Sequence, residues 1–200
     1  FWQFNADGLP ITTSGSILAT ESSCPFTSGE PFVLYNVKSS VTPLRGGAGN
    51  PVMIGKELIG LSASCNPSAQ KVLAVTQTMI SRFLEQAQSG KYSGFPADGT
   101  QVTELTDPVF RKYLGLPENG GGLYVAKLPV YSSFYKAGIR SGDVVESVNG
   151  IPLDSKGLIR DSSLGPVSAN FLFRDSAKPG DVITLGIRRK DKNGASQPMT

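Results

Sequence analysis

Tyr131-Ser-Ser-Phe-Tyr-Lys-Ala-Gly138-Ile-Arg-Ser-Gly-Asp143-Val-Val-Glu-Ser-Val-Asn149-Gly150 is the stretch that decides the fold. Ser132 and Ser133 are candidate N-caps for a helix of one to two turns. Gly138 can take the left-handed conformation that stops it. Ser141-Gly142-Asp143 reads as a turn. Val144, Val145, Ser147 and Val148 read as a β-branched strand, and Asn149-Gly150 is a strong two-residue hairpin signal.

Taken in this order, the string resembles the middle of a PDZ domain of the Deg/HtrA protease type. There a short helix ends at Ala-Gly-Ile/Leu, a Gly-Asp turn follows, and a strand ends in Asn-Gly. The resemblance implies a domain that binds peptides.

Outward from this stretch, the second half of the chain starts near Ala97 with a strand over 100–105. Asp107 and Pro108 open a short helix as N-cap and first helical residue. It runs to Tyr113 and stops before Gly115. Asn119-Gly120-Gly121-Gly122 turns into a strand over 123–127. Residues 154–166 read as a loop and 167–173 as a helix with Val167, Asn170 and Phe171 on one face. Pro179-Gly180-Asp181 turns into a strand over 182–189.

The first 75 residues read as six short strands, over 1–4, 14–20, 32–37, 51–54, 58–64 and 71–75. Asp7-Gly8, Ser28-Gly29, Gly46-Gly47 and Gly55-Lys56 mark turns between them. That spacing suggests a small sandwich or barrel. A helix follows, capped by Thr76 or Thr78 and closed by Gly90. Met79, Ile80, Phe83, Leu84 and Ala87 are its expected apolar face. Ser93-Gly94-Phe95-Pro96 reads as a linker.

Two further stretches extend the resemblance. Gly46-Gly47-Ala48-Gly49-Asn50-Pro51-Val52 followed by Glu57-Leu58-Ile59-Gly60-Leu61 resembles the nucleophile segment of trypsin-like proteases, Gly-Asn/Asp-Ser-Gly-Gly-Pro and its two strands. Gly90-Lys91-Tyr92-Ser93-Gly94-Phe95-Pro96 resembles the connector between protease and PDZ domain in plant-type Deg proteases and their bacterial relatives. Asp107-Pro108-x-Phe110-Arg111 and Leu116-Pro117-x-Asn119 match the same subgroup.

The resemblance implies a mainly β chain with short helices: the second barrel of a trypsin-like protease over 1–92, then a PDZ domain over 93–200. It covers the chain from about Gly46 onward and is weak before that.

The departures bear on function. Ala48 stands where the family has its nucleophilic serine, Gly47 replaces Asn or Asp, and Asn50 replaces Gly. The chain contains no histidine, so the family's general base is missing. The barrel that carries the family's His and Asp is not in this chain. A hydroxyl nucleophile needs an adjacent base. Loss of a triad member costs on the order of 10⁶ in kcat. The expectation is a non-catalytic site, with Gly46, Gly47 and Ala48 as a remnant oxyanion loop. The alternative is a fragment of an active serine endopeptidase.

In the family, an apolar-Gly-apolar loop receives a ligand's C-terminal carboxylate, and the strand after it pairs with the peptide. By order along the chain these are Asp98-Gly99-Thr100 and the strand starting Gln101-Val102. Both neighbours of Gly99 are polar, and Asp98 opposes a carboxylate. Extended internal segments are therefore an alternative ligand. Val167, Asn170 and Phe171 are the expected facing wall.

Composition bounds the rest. The 200 residues are 39% apolar and 18% charged, with 23 glycines and 14 prolines, which favours a turn-rich β protein. The net charge is +3. Arg188-Arg189-Lys190 is the only basic cluster and reads as a solvated strand end, not a nucleic-acid footprint. No apolar run is long enough to span a membrane. Without histidine or a cysteine cluster, neither a metal site nor a cofactor is expected.

A Cys24–Cys65 bridge would close a loop of about 40 residues and stabilise by roughly 4 kcal/mol; two free thiols are the alternative. The start at Phe1 suggests a piece of something longer. The expected partners are peptide or protein segments, with the missing barrel or sister subunits as further candidates. Export to a periplasm-like compartment is expected by analogy alone.

Overall fold

The structure, a computed structural model, describes residues 1–4, 7–24, 31–39, 48–190 and 196–199. The first half runs β1 (Trp2–Phe4), β2 (Pro10–Thr12), β3 (Gly15–Ser23), β4 (Phe32–Ser39), β5 (Pro51–Ile54), β6 (Glu57–Asn66), β7 (Lys71–Thr76) and α1 (Gln77–Gln88). The second runs β8 (Gln101–Glu104), α2 (Pro108–Tyr113), β9 (Leu123–Lys127), α3 (Ser133–Lys136), β10 (Val144–Val148), β11 (Ile151–Pro152) and β12 (Leu158–Asp161). It ends with β13 (Gly165–Ser168), a π-helical turn (Phe171–Asp175), β14 (Leu185–Lys190) and β15 (Ser196–Met199). The chain is mainly β with short helices, as the sequence implies.

Two compact units form. The first takes residues 1–95 together with 162–176, and the second takes 96–161 and 177–200. The expected division at 92/93 differs from this in two respects: the boundary falls at 95/96, and 162–176 packs with the first unit.

In the first unit an antiparallel sheet runs in the order β3-β4-β7-β6-β5. Its central strands are apolar on both faces. Val37 of β4 and Val72 and Ala74 of β7 join Phe1 and Val52 on one side. Phe32 and Leu34 of β4 and Leu73 of β7 meet on the other, with Met79 of α1 and Phe95 against them. Strand alternation explains this split, since successive side chains point to opposite faces. Gly55, at a φ of 60°, turns β5 into β6. The turn signals Ser28-Gly29 and Gly46-Gly47 lie outside the described residues.

The helix α1 starts where the sequence places it. Its N-cap Thr76 accepts the Met79 N–H at 3.4 Å. Its inner face differs from expectation: Arg82 and Gln86 are buried, while Phe83 and Leu84 remain about half exposed. The reason is a polar lock. Arg82 Nη1 donates to the Arg174 and Asp175 carbonyls, and Nη2 donates to Gly94 O at 3.3 Å. Gln86 holds Gly94 O and the Ser93 N–H. The Arg82 guanidinium also lies 4.6 Å from the Phe95 ring centre.

The expected helix over 167–173 is corrected as well. Gly165 has a φ of +74° and Pro166 follows it, and the chain continues extended as β13. Val167, Ala169 and Phe171 are buried in alternation with Ser168 and Asn170, a strand period. Of the expected helix, 171–173 is helical, as the start of the π-helical turn Phe171–Asp175.

In the second unit the sheet order is β15-β14-β10-β9-β8, with β11 paired to β10. Its core gathers Leu105, Leu114, Leu116 and Val144, with Phe110 and Tyr124 against them. Ser132 and Asp107 cap α3 and α2, the roles the sequence assigns them. Asn149 and Gly150 both have positive φ, 50° and 78°, so the β10–β11 hairpin takes the primed turn that Asn-Gly favours. Cys24 is exposed and Cys65 half-buried, and no disulfide joins them. Burial pushes the Cys65 thiol up from its ordinary pKa.

Candidate functional site

Two places carry the chemistry that the sequence singles out. The first is the loop leading into β5. Ala48 is exposed there. Gly46 and Gly47 lie outside the described residues. Gly49, with a φ of +82°, donates its N–H to Ser62 O at 2.7 Å. The Asn50 N–H donates to Ser62 Oγ at 2.9 Å, and Asn50 O accepts the Ser62 N–H. Ser62 is buried. The donors on the β5 side of Ala48 are thus consumed by β6. Among the described residues no three His, Cys, Asp or Glu side chains converge as a metal would need.

The second place is the edge of the second unit. β8 ends the sheet, paired only to β9 among the described strands, in the register Val102↔Val125 and Thr103↔Tyr124. All four of its residues are exposed. It is short and anchored beyond its end, where fully buried Leu105 donates its N–H to Ser155 O at 2.8 Å. An edge strand presents unpaired N–H and C=O groups to any extended partner.

The loop before β8 is held by its own side chains. Gly99 has a φ of +74°, and a Cβ there would come within 3.3 Å of Pro129. Glycine fits because the loop needs the left-handed region and a close approach. Asp98 Oδ2 accepts the Ser133 hydroxyl at 2.8 Å and the Phe134 N–H at 3.3 Å. Its Oδ1 accepts the Thr100 hydroxyl. The sequence points to Asp98 as a charge facing a ligand carboxylate. In the structure its carboxylate also ties the loop to the start of α3. Of its partners, Ser133 reads from the sequence only as a candidate cap, and Phe134 is not singled out. An acid two residues before a strand carries no signal of a partner 35 positions away.

Asp98, Gly99, Thr100, Gln101 and Val102 therefore sit together on the second unit. Val167, Asn170 and Phe171 are not part of that unit. They belong to the first unit, where Val167 and Phe171 are buried and Asn170 Nδ2 donates to Ser22 Oγ at 3.4 Å.

Comparison with known proteins fits this architecture. No protein-family model matches the chain. It is 28% identical over 116 residues to Protease Do-like 2, chloroplastic, of Arabidopsis thaliana, covering 58% of this chain and 19% of that protein. The HtrA-type protease AlgW, solved with a decapeptide, aligns over 96% of this chain and 55% of its own, with a TM-score of 0.57 at 19% identity. A serine-to-alanine AlgW variant with a decapeptide covers 98% and 56%, with a TM-score of 0.60 at 18% identity. The resemblance to Deg/HtrA-type proteases thus holds in sequence and in fold. The chain spans about half the length of the solved relatives and about a fifth of the curated one.

Proposed function

We propose that this chain is a non-catalytic binding protein of the Deg/HtrA type, which takes extended peptide or protein segments by strand addition at β8. The observation that carries the reading is the edge itself: four exposed residues on a strand that ends its sheet. Main-chain hydrogen bonds supply affinity in this mode, and side-chain pockets supply selectivity. The decapeptides bound by AlgW support a peptide as the ligand class. Asp98, Gly99, Thr100, Gln101 and Val102 form the binding edge. Because Asp98 places a carboxylate in the loop, internal segments fit it better than free C-termini. Ala48 and the lack of histidine support the non-catalytic half of the proposal.

A second reading follows from the relatives being proteases: the chain is a portion of a Deg/HtrA-like serine endopeptidase whose serine is replaced. Exposed Leu18, Ile54 and Leu58 on the first unit also suit cover by another polypeptide, a companion barrel or a sister subunit.

The test of the main reading is anisotropy titration of extended peptides with and without backbone N-methylation at alternate residues. N-methylation removes the amide hydrogens that strand addition uses, so one of the two alternations should abolish binding. Equal binding by both methylated forms and the parent would sink it.

A further inference from the structure

The basic run at the end of β14 is not simply solvated. Arg188 pairs with Glu146 at 2.7 Å. Arg189 grips buried Asp143 through two bonds of 2.7 Å. Lys190 lies over the Tyr113 ring, 3.7 Å from its centre, and donates to the Tyr113 carbonyl. Across a cleft of about 350 Å³ stands Arg140. It stacks 4.2 Å over Tyr135 and donates Nη1 to the carbonyls of Tyr135 and Ile139. Tyr113 and Tyr124 supply aromatic walls.

The charge balance of this cleft is one-sided. Among the described residues Asp143 is the only acid that lines it, and that carboxylate is consumed by Arg189 and by the Arg140 N–H. Among the described residues, neither Arg140 nor Lys190 has a carboxylate partner. Each is fixed by a ring and a carbonyl, so little side-chain freedom remains to be lost on binding. The volume lies at the lower end for ligand sites and suits one or two side chains.

We propose that this cleft is a second peptide site, which takes an acidic side chain between Arg140 and Lys190 and a neighbouring aromatic or apolar side chain against Tyr113 and Tyr124. It recognises side chains, whereas the β8 edge recognises backbone. The two sites are separable by experiment.

The probe is a fluorescein-labelled, acetylated and amidated octapeptide of alternating glutamate and tyrosine, titrated against the whole chain. Replacing its glutamates by glutamines should weaken binding roughly tenfold, and so should the double variant Arg140→Gln, Lys190→Gln. Raised salt should weaken it too. Lys190→Gln alone should lose a few-fold and guards against misfolding of the Arg140 variant, and a thermal melt reports the fold of each. Alternate N-methylation of the probe should leave this binding in place. Indifference to the glutamine exchange or to both cleft variants would overturn the proposal. Loss on N-methylation alone would move the binding to β8 and overturn it as well. Failure of neutral extended peptides to bind β8 leaves the cleft result standing.

Discussion

The Val33 backbone N–H donates to Asp175 Oδ1 at 3.2 Å, and the two residues lie 142 positions apart. Asp175 is fully buried, and its Oδ2 has no hydrogen-bond partner among the described residues. Arg174 and Arg82 are the cations nearby, with Arg174 stacked 4.1 Å over Phe32. Burial outweighs these attractions and pushes the carboxyl up to about 7 from 3.8.

A raised carboxyl binds its proton more tightly in the folded state, so stability falls as pH rises from about 4 to about 7 and then levels. The full effect of this group is of order 4 kcal/mol. Melting temperatures of the native chain and Asp175→Asn, measured from about pH 4 to pH 8, should diverge along that window. The variant should lack the slope and gain on the native chain at the alkaline end. Parallel curves would refute the assignment.

Asp143 is the polar keystone of the second unit. It is almost fully buried, and it holds Arg189 twice and the Arg140 N–H once. Its carboxylate raises the Arg189 pKa. Arg189→Ala strands a buried carboxylate, and the cost should be about 3 kcal/mol. Urea unfolding should show it as a shifted midpoint with an unchanged slope.

Ala48→Ser should not create a protease. A serine hydroxyl without a histidine base keeps its ordinary reactivity, and Ser62 occupies the neighbouring backbone donors. Incubation with casein and with a fluorophosphonate probe should give neither cleavage nor labelling. Covalent labelling that the substitution introduces would show that a base exists.

Asp98→Leu should strengthen binding of peptides with a free C-terminus and narrow their gap to the amidated forms. It removes a like charge, worth about 1 kcal/mol at an exposed site, or roughly fivefold in affinity. The native chain should bind the amidated form more tightly, by about that factor. Anisotropy with matched peptide pairs reads both numbers.

The second unit was legible where short-range rules decide. Caps at Ser132 and Asp107, the primed turn at Asn149-Gly150 and the strand over 123–127 each follow from a few adjacent residues. The exposed edge at 101–104 was legible from chain order. The misreadings are where long-range polar contacts decide. Arg82 and Gln86 sit at helical spacing, yet nothing beside them tells that backbone carbonyls at Gly94 and Arg174 await them. Asp98 likewise meets a hydroxyl and an N–H from far along the chain. The stretch 167–171 was different: its apolar alternation was present in the sequence, and the helical reading passed it over.

The lodging of 162–176 in the first unit has a consequence for how the polypeptide is made. During synthesis residues 1–95 emerge first, but Val33 and Arg82 receive their partners only once residue 175 has left the ribosome. The first unit stays incomplete while most of the second is being produced. Its early strands must wait with a polar gap that later chain fills, and such distant pairings form slowly. A protein cut after residue 95 would inherit that gap permanently.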